Sequence, residues 1–364
     1  MTRTVRRLVN TLIVLGSAVV AVVAVEVGLR YFYPLPMGVW HQDRAGLALH
    51  WPGLVTYLPQ TGLTVSFNAA GMRDGEHAVE KAPGVFRVLV LGDSFIEGLQ
   101  VLFEESFTSL LQGELAGRPP GRVEVINASV SGWGTDDELK YLTSYGRQFK
   151  PDLVIVAMTL YNDINDNLRE RFHTMRDGAL VENTGARASF LEFKIIQLKG
   201  LLASHFQTYQ LLIRAKRARE TRAEAQQLST HVSGVFVPPD QRMSRGLELT
   251  RLLLERIRVV ASGDGGRVVL VLIPLGVQLS DRQFAEFAGA RREAQIDRPQ
   301  QELKRVGERA GIDVIDLLPG FREWVVSGGA ALYLTRDGHW DRPGHLLAAR
   351  IVASELVRLG LAGR

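Results

Sequence analysis

Short apolar runs recur along the chain and predict its core. The expected strands are 86–91, 123–127, 153–158, 268–273 and 313–316. Most of these runs are continuously apolar rather than alternating, so both faces of each strand should be covered, as in a parallel sheet. Helical patterns separate them, near 106–115, 136–147, 247–262, 281–310 and 343–359. This alternation predicts an α/β fold with helices on both faces of a parallel sheet.

Three polar clusters directly follow predicted strands, and a fourth comes just before the last helix. The clusters are 92–94 (Gly-Asp-Ser), 127–132 (Asn-Ala-Ser-Val-Ser-Gly), 161–163 (Tyr-Asn-Asp) and 337–340 (Asp-Gly-His-Trp). Open α/β sheets place their chemistry at the carboxyl ends of the strands. We therefore expect one edge of the sheet to gather all four clusters.

Ser94 and His339 are the residue types that nucleophilic attack on a carbonyl requires. A serine hydroxyl is a poor nucleophile until a base takes its proton. His339 is the candidate base, and Asp337 is placed to orient its other ring nitrogen. Two alternatives stay open: Ser94 could simply cap the helix that Phe95 begins, and His345 is a rival base. The position of His345 in the first turn of the last helix favours a surface or packing role.

In this order the four clusters resemble the four sequence blocks of the SGNH (GDSL) hydrolase family of esterases and acyltransferases. The resemblance covers roughly 87–359, apart from a long central insert. It implies a three-layer α/β/α, flavodoxin-like parallel sheet and a catalytic set of Ser94, His339 and Asp337. It also implies an oxyanion hole made by the backbone N–H groups of Ser94 and Gly132 and the side-chain amide of Asn162. Gly132 has a steric reason too, since a residue without Cβ lets backbone approach a ligand closely.

One spacing departs from the family pattern. The family places the aspartate of the last block three residues before the histidine, whereas Asp337 stands two residues before His339. The shorter spacing leaves open how well this carboxylate reaches the imidazole.

The apolar N-terminus decides the expected location. Residues 8–25 are nearly continuously apolar, with three arginines before them and the aromatic triplet 31–33 after them. About 20 apolar residues cross a bilayer as a helix, and basic residues before the span predict a cytoplasmic N-terminus. We expect a single-pass anchor in a bacterial inner membrane with the catalytic domain in the periplasm. A cleaved signal peptide is the alternative.

Composition excludes several other classes of function. The 364 residues include no cysteine, so neither a disulfide framework nor a thiolate metal site is expected. No metal-ligand spacing and no glycine-rich nucleotide motif occurs, and we expect no cofactor. The net charge of +4 is modest. It forms no basic stripe interleaved with aromatic residues, so nucleic acid is not an expected partner.

We divide the chain into a cytoplasmic tip and anchor (1–33), an extracytoplasmic lead-in (34–85) and the α/β domain (86–364), with an insert at about 164–241. In the lead-in, Arg73 is expected to form a structural ion pair, and a reach to the active-site rim is the alternative. The insert should contain a hairpin turn at 175–180 and helices at 191–202 and 208–227. Because it leaves directly after Asn162, it is expected to overhang the site. Its second helix is basic, which suits anionic lipid, acidic polysaccharide or a solvated face.

The sequence thus predicts a serine-dependent acylester hydrolase or O-acyltransferase that acts outside the cytoplasm, on an acylated cell-envelope glycan or a small ester. Both reactions pass through the same acyl-enzyme, so the residues do not separate them. One alternative is a catalytically weak binding or assembly component of the envelope polysaccharide machinery, for export or modification. Another is a lipid-directed lysophospholipase or thioesterase.

Overall fold

The computed structural model describes residues 2–116, 122–160, 162–183, 188–217, 234–289, 291–335 and 337–362. Its strands are β1 (Trp40–Gln42), β2 (Ala48–His50), β3 (Val55–Leu58), β4 (Leu63–Ser66), β5 (Val85–Gly92), β6 (Arg122–Ser129), β7 (Leu153–Thr159), β8 (His173–Arg176), β9 (Ala179–Glu182), β10 (Arg267–Ile273) and β11 (Asp313–Asp316). Its helices are α1 (Arg3–Phe32), α2 (Ser94–Glu97), α3 (Phe107–Leu115), α4 (Thr135–Ser144), α5 (Asn162–Asn167), α6 (Phe190–His205), α7 (Gln207–Arg217), α8 (Gln241–Gly263), α9 (Asp281–Ala288), α10 (Arg298–Ala310), α11 (Leu318–Val326) and α12 (Arg342–Arg358).

The five predicted core strands form one parallel sheet in the order β11-β10-β7-β5-β6. Numbered along the chain, this order is the flavodoxin-like 2-1-3-4-5 arrangement. The order reverses at β5, which pairs with β6 on one side and β7 on the other. Ligands of such sheets bind outside the carboxyl ends of the strands at this switch point. The predicted fold class is confirmed, and the polar clusters after β5, β6 and β7 all lie at the switch point.

Helices cover both faces of the sheet, which explains the continuous apolar runs. In β5, Leu89 and Leu91 face one core cluster, whereas Val88 and Val90 face the other, and all four are fully buried. The first cluster includes side chains of α4, α8 and α10, and the second includes those of α3, α11 and α12. Full burial of such a side chain contributes about 1.5–3 kcal/mol. The result is the expected three-layer α/β/α arrangement.

The helix expected over 281–310 is in fact two helices, α9 and α10. Gly289, at a φ of 56°, follows the last turn of α9. The second helix begins after Asp297 and has Pro299 in its first turn, where proline is favoured. The apolar periodicity of the two helices concealed these start and stop signals.

The insert contains the predicted hairpin and helices. Strands β8 and β9 are antiparallel neighbours joined by Asp177 and Gly178, both at positive φ, as a tight hairpin turn requires. The helix expected over 191–202 is α6, and the one expected over 208–227 is described as α7 up to Arg217. The remainder of that prediction, 218–227, lies outside the described residues.

The lead-in forms two small antiparallel hairpins, β1 with β2 and β3 with β4. The strand predicted at 63–67 is β4. Buried side chains of the lead-in pack against Leu99, which follows α2. The lead-in is therefore folded against the carboxyl edge of the sheet, beside the predicted site.

Helix α1 is long and apolar enough to cross a bilayer, with a mean hydropathy of 2.5 over its most apolar 18-residue window. None of that window is buried against the rest of the chain. A signal sequence near the N-terminus passes the same test. The division into tip and anchor, lead-in and catalytic domain stays a prediction.

His345 is buried in the first turn of α12, where its Nδ1 accepts a hydrogen bond from the Phe107 N–H at 3.2 Å. It packs edge-on against Trp340. Its pKa is lowered from 6.5 to about 3, mainly by burial and to a smaller extent by electrostatic interaction with Arg73 and His339. The packing role is confirmed, the surface role is wrong, and this ring is a poor candidate for the catalytic base.

We expect His345→Asn to reduce the acid sensitivity of folding. As the pH falls from 6.5 towards about 3, His345 becomes protonated in the unfolded chain but stays neutral in the folded protein. Stability is therefore lost with falling pH, by up to ~1.4 kcal/mol per pH unit. An asparagine oxygen can still accept the Phe107 N–H. The comparison is the urea midpoint of both proteins across this range.

Other titrating groups contribute equally to the pH dependence of stability in the wild type and in His345→Asn, so their contributions cancel when the two are compared. Burial raises the pKa of Asp137 and of Asp166 to about 6, so their contribution is lost as the pH rises through that value, in both proteins alike. Parallel stability curves for the wild type and His345→Asn would contradict the prediction.

Candidate active site

The turn after β5 places Ser94 at the start of α2. A Cβ on Gly92 would lie 2.7 Å from Ile96 Cγ1, so only glycine permits this close return of the chain. Asp93 is the N-cap, and its Oδ1 accepts the Phe95 N–H at 3.0 Å. The capping role considered for Ser94 thus belongs to Asp93. This leaves the Ser94 hydroxyl free of the cap.

Ser94 and His339, 245 residues apart in sequence, meet at hydrogen-bond distance. The Nε2 of His339 lies 2.8 Å from the Ser94 Oγ. The imidazole packs against the Phe95 ring, with centroids 4.9 Å apart. Its loop is pinned by the hydrogen bond from the Leu334 N–H to the His339 carbonyl, at 2.8 Å. This is the geometry in which an imidazole can take the proton of a serine hydroxyl.

Asp337 is close to His339 but does not reach its free ring nitrogen. Its Oδ2 lies 3.5 Å from Nδ1, which is too long for a good hydrogen bond. Its Oδ1 instead accepts the backbone N–H of His339 at 3.1 Å. Among the described residues, the buried Nδ1 of His339 has no hydrogen-bond partner. The orienting role of Asp337 therefore stays a prediction, and its side chain is 42 % exposed.

Asp337→Asn is expected to lower kcat by far less than the roughly 10⁴-fold lost when a buried triad aspartate is changed to asparagine. The reason is the 3.5 Å gap between the carboxylate and Nδ1. Steady-state kinetics on a model ester give the measurement. Asp341→Asn is the matched control, because Asp341 only caps α12 and asparagine caps equally well. A 10⁴-fold loss would mean that the carboxylate closes on the ring during turnover.

Gly132 and Asn162, the other two predicted oxyanion donors, follow β6 and β7. Gly132 has a φ of 79°, which favours glycine, and a Cβ there would meet no described atom within 4 Å. The positive φ is therefore a second reason for glycine at this position, and the close approach to a ligand stays a prediction. Asn162 begins α5, and its Nδ2 lies 3.4 Å from the Asp93 Oδ2. Tyr161, the first residue of that cluster, lies outside the described residues.

A buried carboxylate links the lead-in to the predicted oxyanion loop. The Oε2 of Glu97, at the end of α2, accepts the Ser131 N–H at 3.0 Å and also the Ser131 hydroxyl. Its Oε1 lies 2.5 Å from Nε2 of His50. The other nitrogen of His50 lies 3.0 Å from the Gly71 carbonyl oxygen. Sequence reasoning missed both His50 and Glu97, since neither belongs to a recognised pattern.

Arg73 is fully engaged with the backbone at the end of α2. It donates to the carbonyl oxygens of Glu97 at 2.9 Å and of Gly98 and Val101 at 2.5 Å. Burial lowers its pKa to about 10. The expected ion pair is wrong, and so is the reach to the rim. Arg73 instead satisfies the carbonyls that the short helix leaves open.

Acidic side chains are packed beneath the Ser94 turn. Asp93, Glu138 and Asp163 are wholly buried, and burial raises the pKa of each. Repulsion by Asp93 raises the pKa of the other two further. Asp163 also accepts the Thr159 N–H at 2.6 Å and so braces the turn after β7. Burial and mutual repulsion therefore both favour the neutral form of these carboxyl groups.

Two cavities meet at His339. One of about 740 Å³ contains Ser94 and Ser131, and one of about 450 Å³ lies against Phe95 and Tyr333. The larger is also lined by Trp40, Gln60 and Thr61 of the lead-in and by Leu99 and Gln100. No described residue of the insert lines either cavity. The expectation that the insert overhangs the site is wrong for the described part, because the lead-in hairpins occupy that position.

The family model of the GDSL-like lipase/acylhydrolase family matches residues 90–347. The chain belongs to this family. The match begins in β5 and ends in α12, and so contains Ser94, Gly132, Asn162 and His339. Family membership was predicted from the order of the four clusters, and it is confirmed.

Similar proteins include esterases. An arylesterase of Vibrio mimicus is 40 % identical over 83 residues, which are 23 % of this chain and 39 % of that protein. The crystal structure of TesA is 16 % identical, covers 75 % of this chain and 99 % of its own, and has a TM-score of 0.41. An acetylxylan esterase from Geobacillus stearothermophilus, a catalytic mutant of Axe2, is 14 % identical over 77 % and 96 % of the two chains, with a TM-score of 0.40. These structural similarities decide nothing about substrate.

Proposed function

We propose that this member of the GDSL-like family is a serine esterase. The observation that carries the proposal is the 2.8 Å contact between the Ser94 Oγ and the His339 Nε2. The hydroxyl opens into a cavity of about 740 Å³, which is large enough for a small ester or a short acylated sugar. Family membership supports the same reaction class.

In the proposed reaction, Nε2 of His339 takes the Ser94 hydroxyl proton as Oγ attacks the ester carbonyl. The Oγ–C bond forms and the carbonyl π bond moves to oxygen. Collapse of this intermediate breaks the bond to the alcohol, which leaves with the proton from His339. Water then attacks the acyl-enzyme, again with His339 as the base. The acid is released and the Ser94 hydroxyl is restored.

The oxyanion of both intermediates needs donors that are already in place. We assign this role to the backbone N–H groups of Ser94 and Gly132 and to the amide of Asn162. That amide lies beside Asp93, with its Nδ2 3.4 Å from the Asp93 Oδ2. The second proton of the same amide nitrogen is then available to a substrate oxygen.

Substrate and location belong to the same proposal. We assign α1 as an inner-membrane anchor, with the domain in the periplasm, and an acylated cell-envelope glycan as the substrate. The apolar, unburied surface of α1 supports the anchor. The ring of Trp40 and the amides of Gln60 and Gln100 in the Ser94 cavity support a sugar, because amides can hydrogen-bond its hydroxyls.

O-acyl transfer is the second candidate, favoured by the smaller cavity that His339 also lines. An acceptor hydroxyl bound there would compete with water for the acyl-enzyme. The test is the partition of acetyl groups from a model ester between water and an added glycan. Transfer that exceeds hydrolysis would identify a transferase.

The esterase proposal is tested with a fluorophosphonate probe and p-nitrophenyl acetate on the full chain in detergent. We expect covalent labelling of the wild type and no labelling of Ser94→Ala. An unlabelled wild-type protein would overturn the proposal and leave a binding or assembly role in a polysaccharide system. Preference for long over short acyl esters would instead favour a lysophospholipase or thioesterase.

A further inference from the structure

Helices α6 and α7 form a hairpin with an apolar outer surface beside α1. Along α6 the exposed apolar side chains recur at helical spacing, and α7 adds two more. Leu191 is 69 % exposed and Leu212 is 68 % exposed. We call these residues the hairpin surface: Phe190, Leu191, Ile195, Leu198, Leu201, Leu211 and Leu212. Large apolar side chains that a protein leaves exposed together on one pair of helices indicate an interaction site.

The hairpin is fastened to α1 by its first α7 turn. Glu26 of α1 accepts the N–H groups of Gln207 and Thr208 at 3.0 and 2.8 Å, and the Thr208 hydroxyl at 3.0 Å. Arg30 is paired with Glu26 at 2.8 Å and donates to the His205 carbonyl. The Glu26 carboxylate therefore caps α7, with its charge and the helix end both satisfied.

This attachment fixes the depth of the hairpin relative to a bilayer. Glu26 precedes the exposed aromatic triplet 31–33 by five to seven positions along the same helix, which is roughly 8–10 Å at the rise of an α-helix. Aromatic residues mark the level of the headgroups. Helices that lie in an interface are buried by a similar depth of about 5–10 Å.

Charge complements the apolar surface. Between Phe190 and Arg217 the sequence has five lysines and arginines and a single acid, Glu192. That acid caps its own helix through Ser189. An excess of cations beside exposed leucines is the composition of helices that lie on anionic membranes. An acidic polysaccharide would use the cations but would leave the hairpin surface in water.

We propose that α6 and α7 form an interfacial hairpin that lies on a bilayer of anionic phospholipid. This inference rests on the proposed role of α1 as a membrane anchor. The hairpin is also joined to the lead-in, because the Gly38 N–H donates to the Ala203 carbonyl at 2.9 Å and Gln197 donates to the Gln42 carbonyl at 2.5 Å. Those residues flank Trp40, which lines the Ser94 cavity. Contact with lipid thus holds one wall of the cavity at a fixed height above the membrane.

The absence of cysteine from the sequence permits a direct test on the full chain. Leu198→Cys and Leu212→Cys carry a bimane label in vesicles of phosphatidylethanolamine and phosphatidylglycerol. Val20→Cys, within α1, reports insertion of the anchor. Val326→Cys, exposed at the end of α11, is the aqueous control. Quenching is measured with lipids brominated on their acyl chains and with iodide in the water.

We expect brominated lipid to quench the labels at 198 and 212 severalfold more strongly than the label at 326, and iodide to quench them less. Labels at 198 and 212 that behave like 326, while 20 is quenched by lipid, would overturn the hairpin proposal and leave the anchor intact. An unquenched label at 20 would overturn the anchor itself. Shielding from iodide without quenching by lipid would overturn the proposal in favour of a protein partner or a second copy. If the labels at 198 and 212 are quenched equally in vesicles of phosphatidylcholine alone, the claim that anionic headgroups attract the hairpin would be overturned.

Discussion

Ser94→Ala and His339→Ala are each expected to lower kcat for p-nitrophenyl acetate by a factor of about 10⁴–10⁶, and the double variant by no more than either alone. Residues that act as one unit lose the same step when either is removed, so their effects do not add. The 2.8 Å contact between the two side chains makes them such a unit. The measurement is kcat for the wild type and the three variants, with circular dichroism and a thermal unfolding curve to show that each variant is folded.

The control for this experiment is His345→Asn. His345 is buried and its pKa is lowered to about 3, so its ring is a poor proton acceptor near neutral pH. This variant should keep nearly all of the wild-type kcat. If the losses multiply in the double variant, the two side chains act in separate steps. That result would contradict the prediction that Ser94 and His339 act as one unit.

The sheet and the candidate catalytic pair could be predicted because their signals are local. Most core strands are continuous apolar runs, and the polar clusters that follow β5, β6 and β7 lie at the same edge of the sheet. The strand order then brings Ser94 and Asn162 to the switch point. The strand ends were accurate to one or two residues, as for β10, where 268–273 was expected and Arg267–Ile273 is found.

What surrounds the pair could not be predicted, because it depends on contacts between distant segments. Trp40 lines the cavity only because β1 folds over the carboxyl edge of the sheet. The three-residue sequence of β1 contains no signal that predicts this position of Trp40. For Asp337 the sequence already indicated the uncertainty. Its short spacing from His339 left open whether the carboxylate reaches the imidazole, and the 3.5 Å distance to Nδ1 means that kinetic measurements must decide.

Glu97 could not be predicted for the same reason, because its role depends on contacts between distant segments. Its buried carboxylate binds the loop before Gly132. The Ser131 N–H and hydroxyl both donate to its Oε2. Its other oxygen faces His50, which is anchored in turn by the Gly71 carbonyl. We infer that Glu97 is a positioning residue: it fixes Ser131, and Ser131 fixes the direction of the neighbouring Gly132 N–H.

Glu97→Ala is accordingly expected to lower kcat by about 10²–10³, the loss typical for one oxyanion donor, with little change in KM. Removal of the carboxylate frees the Ser131 loop, and the Gly132 N–H then no longer points at the developing charge. We expect little change in KM because, apart from Ser131, the residues that line the Ser94 cavity stay in place. The experiment measures kcat and KM of Glu97→Ala separately, together with a thermal unfolding curve that shows whether the variant is folded.

Glu97→Gln is the matched variant that separates positioning from simple loss of stability. Its amide oxygen can accept both Ser131 donors, and its NH₂ can donate to Nε2 of a neutral His50 whose Nδ1 still donates to Gly71. We therefore expect kcat within a few-fold of the wild type, whereas His50→Ala, which removes only one support of the carboxylate, should fall between the two Glu97 variants. If Glu97→Gln loses as much kcat as Glu97→Ala while both remain folded, then the negative charge itself matters. The geometric account of the loop would then be wrong.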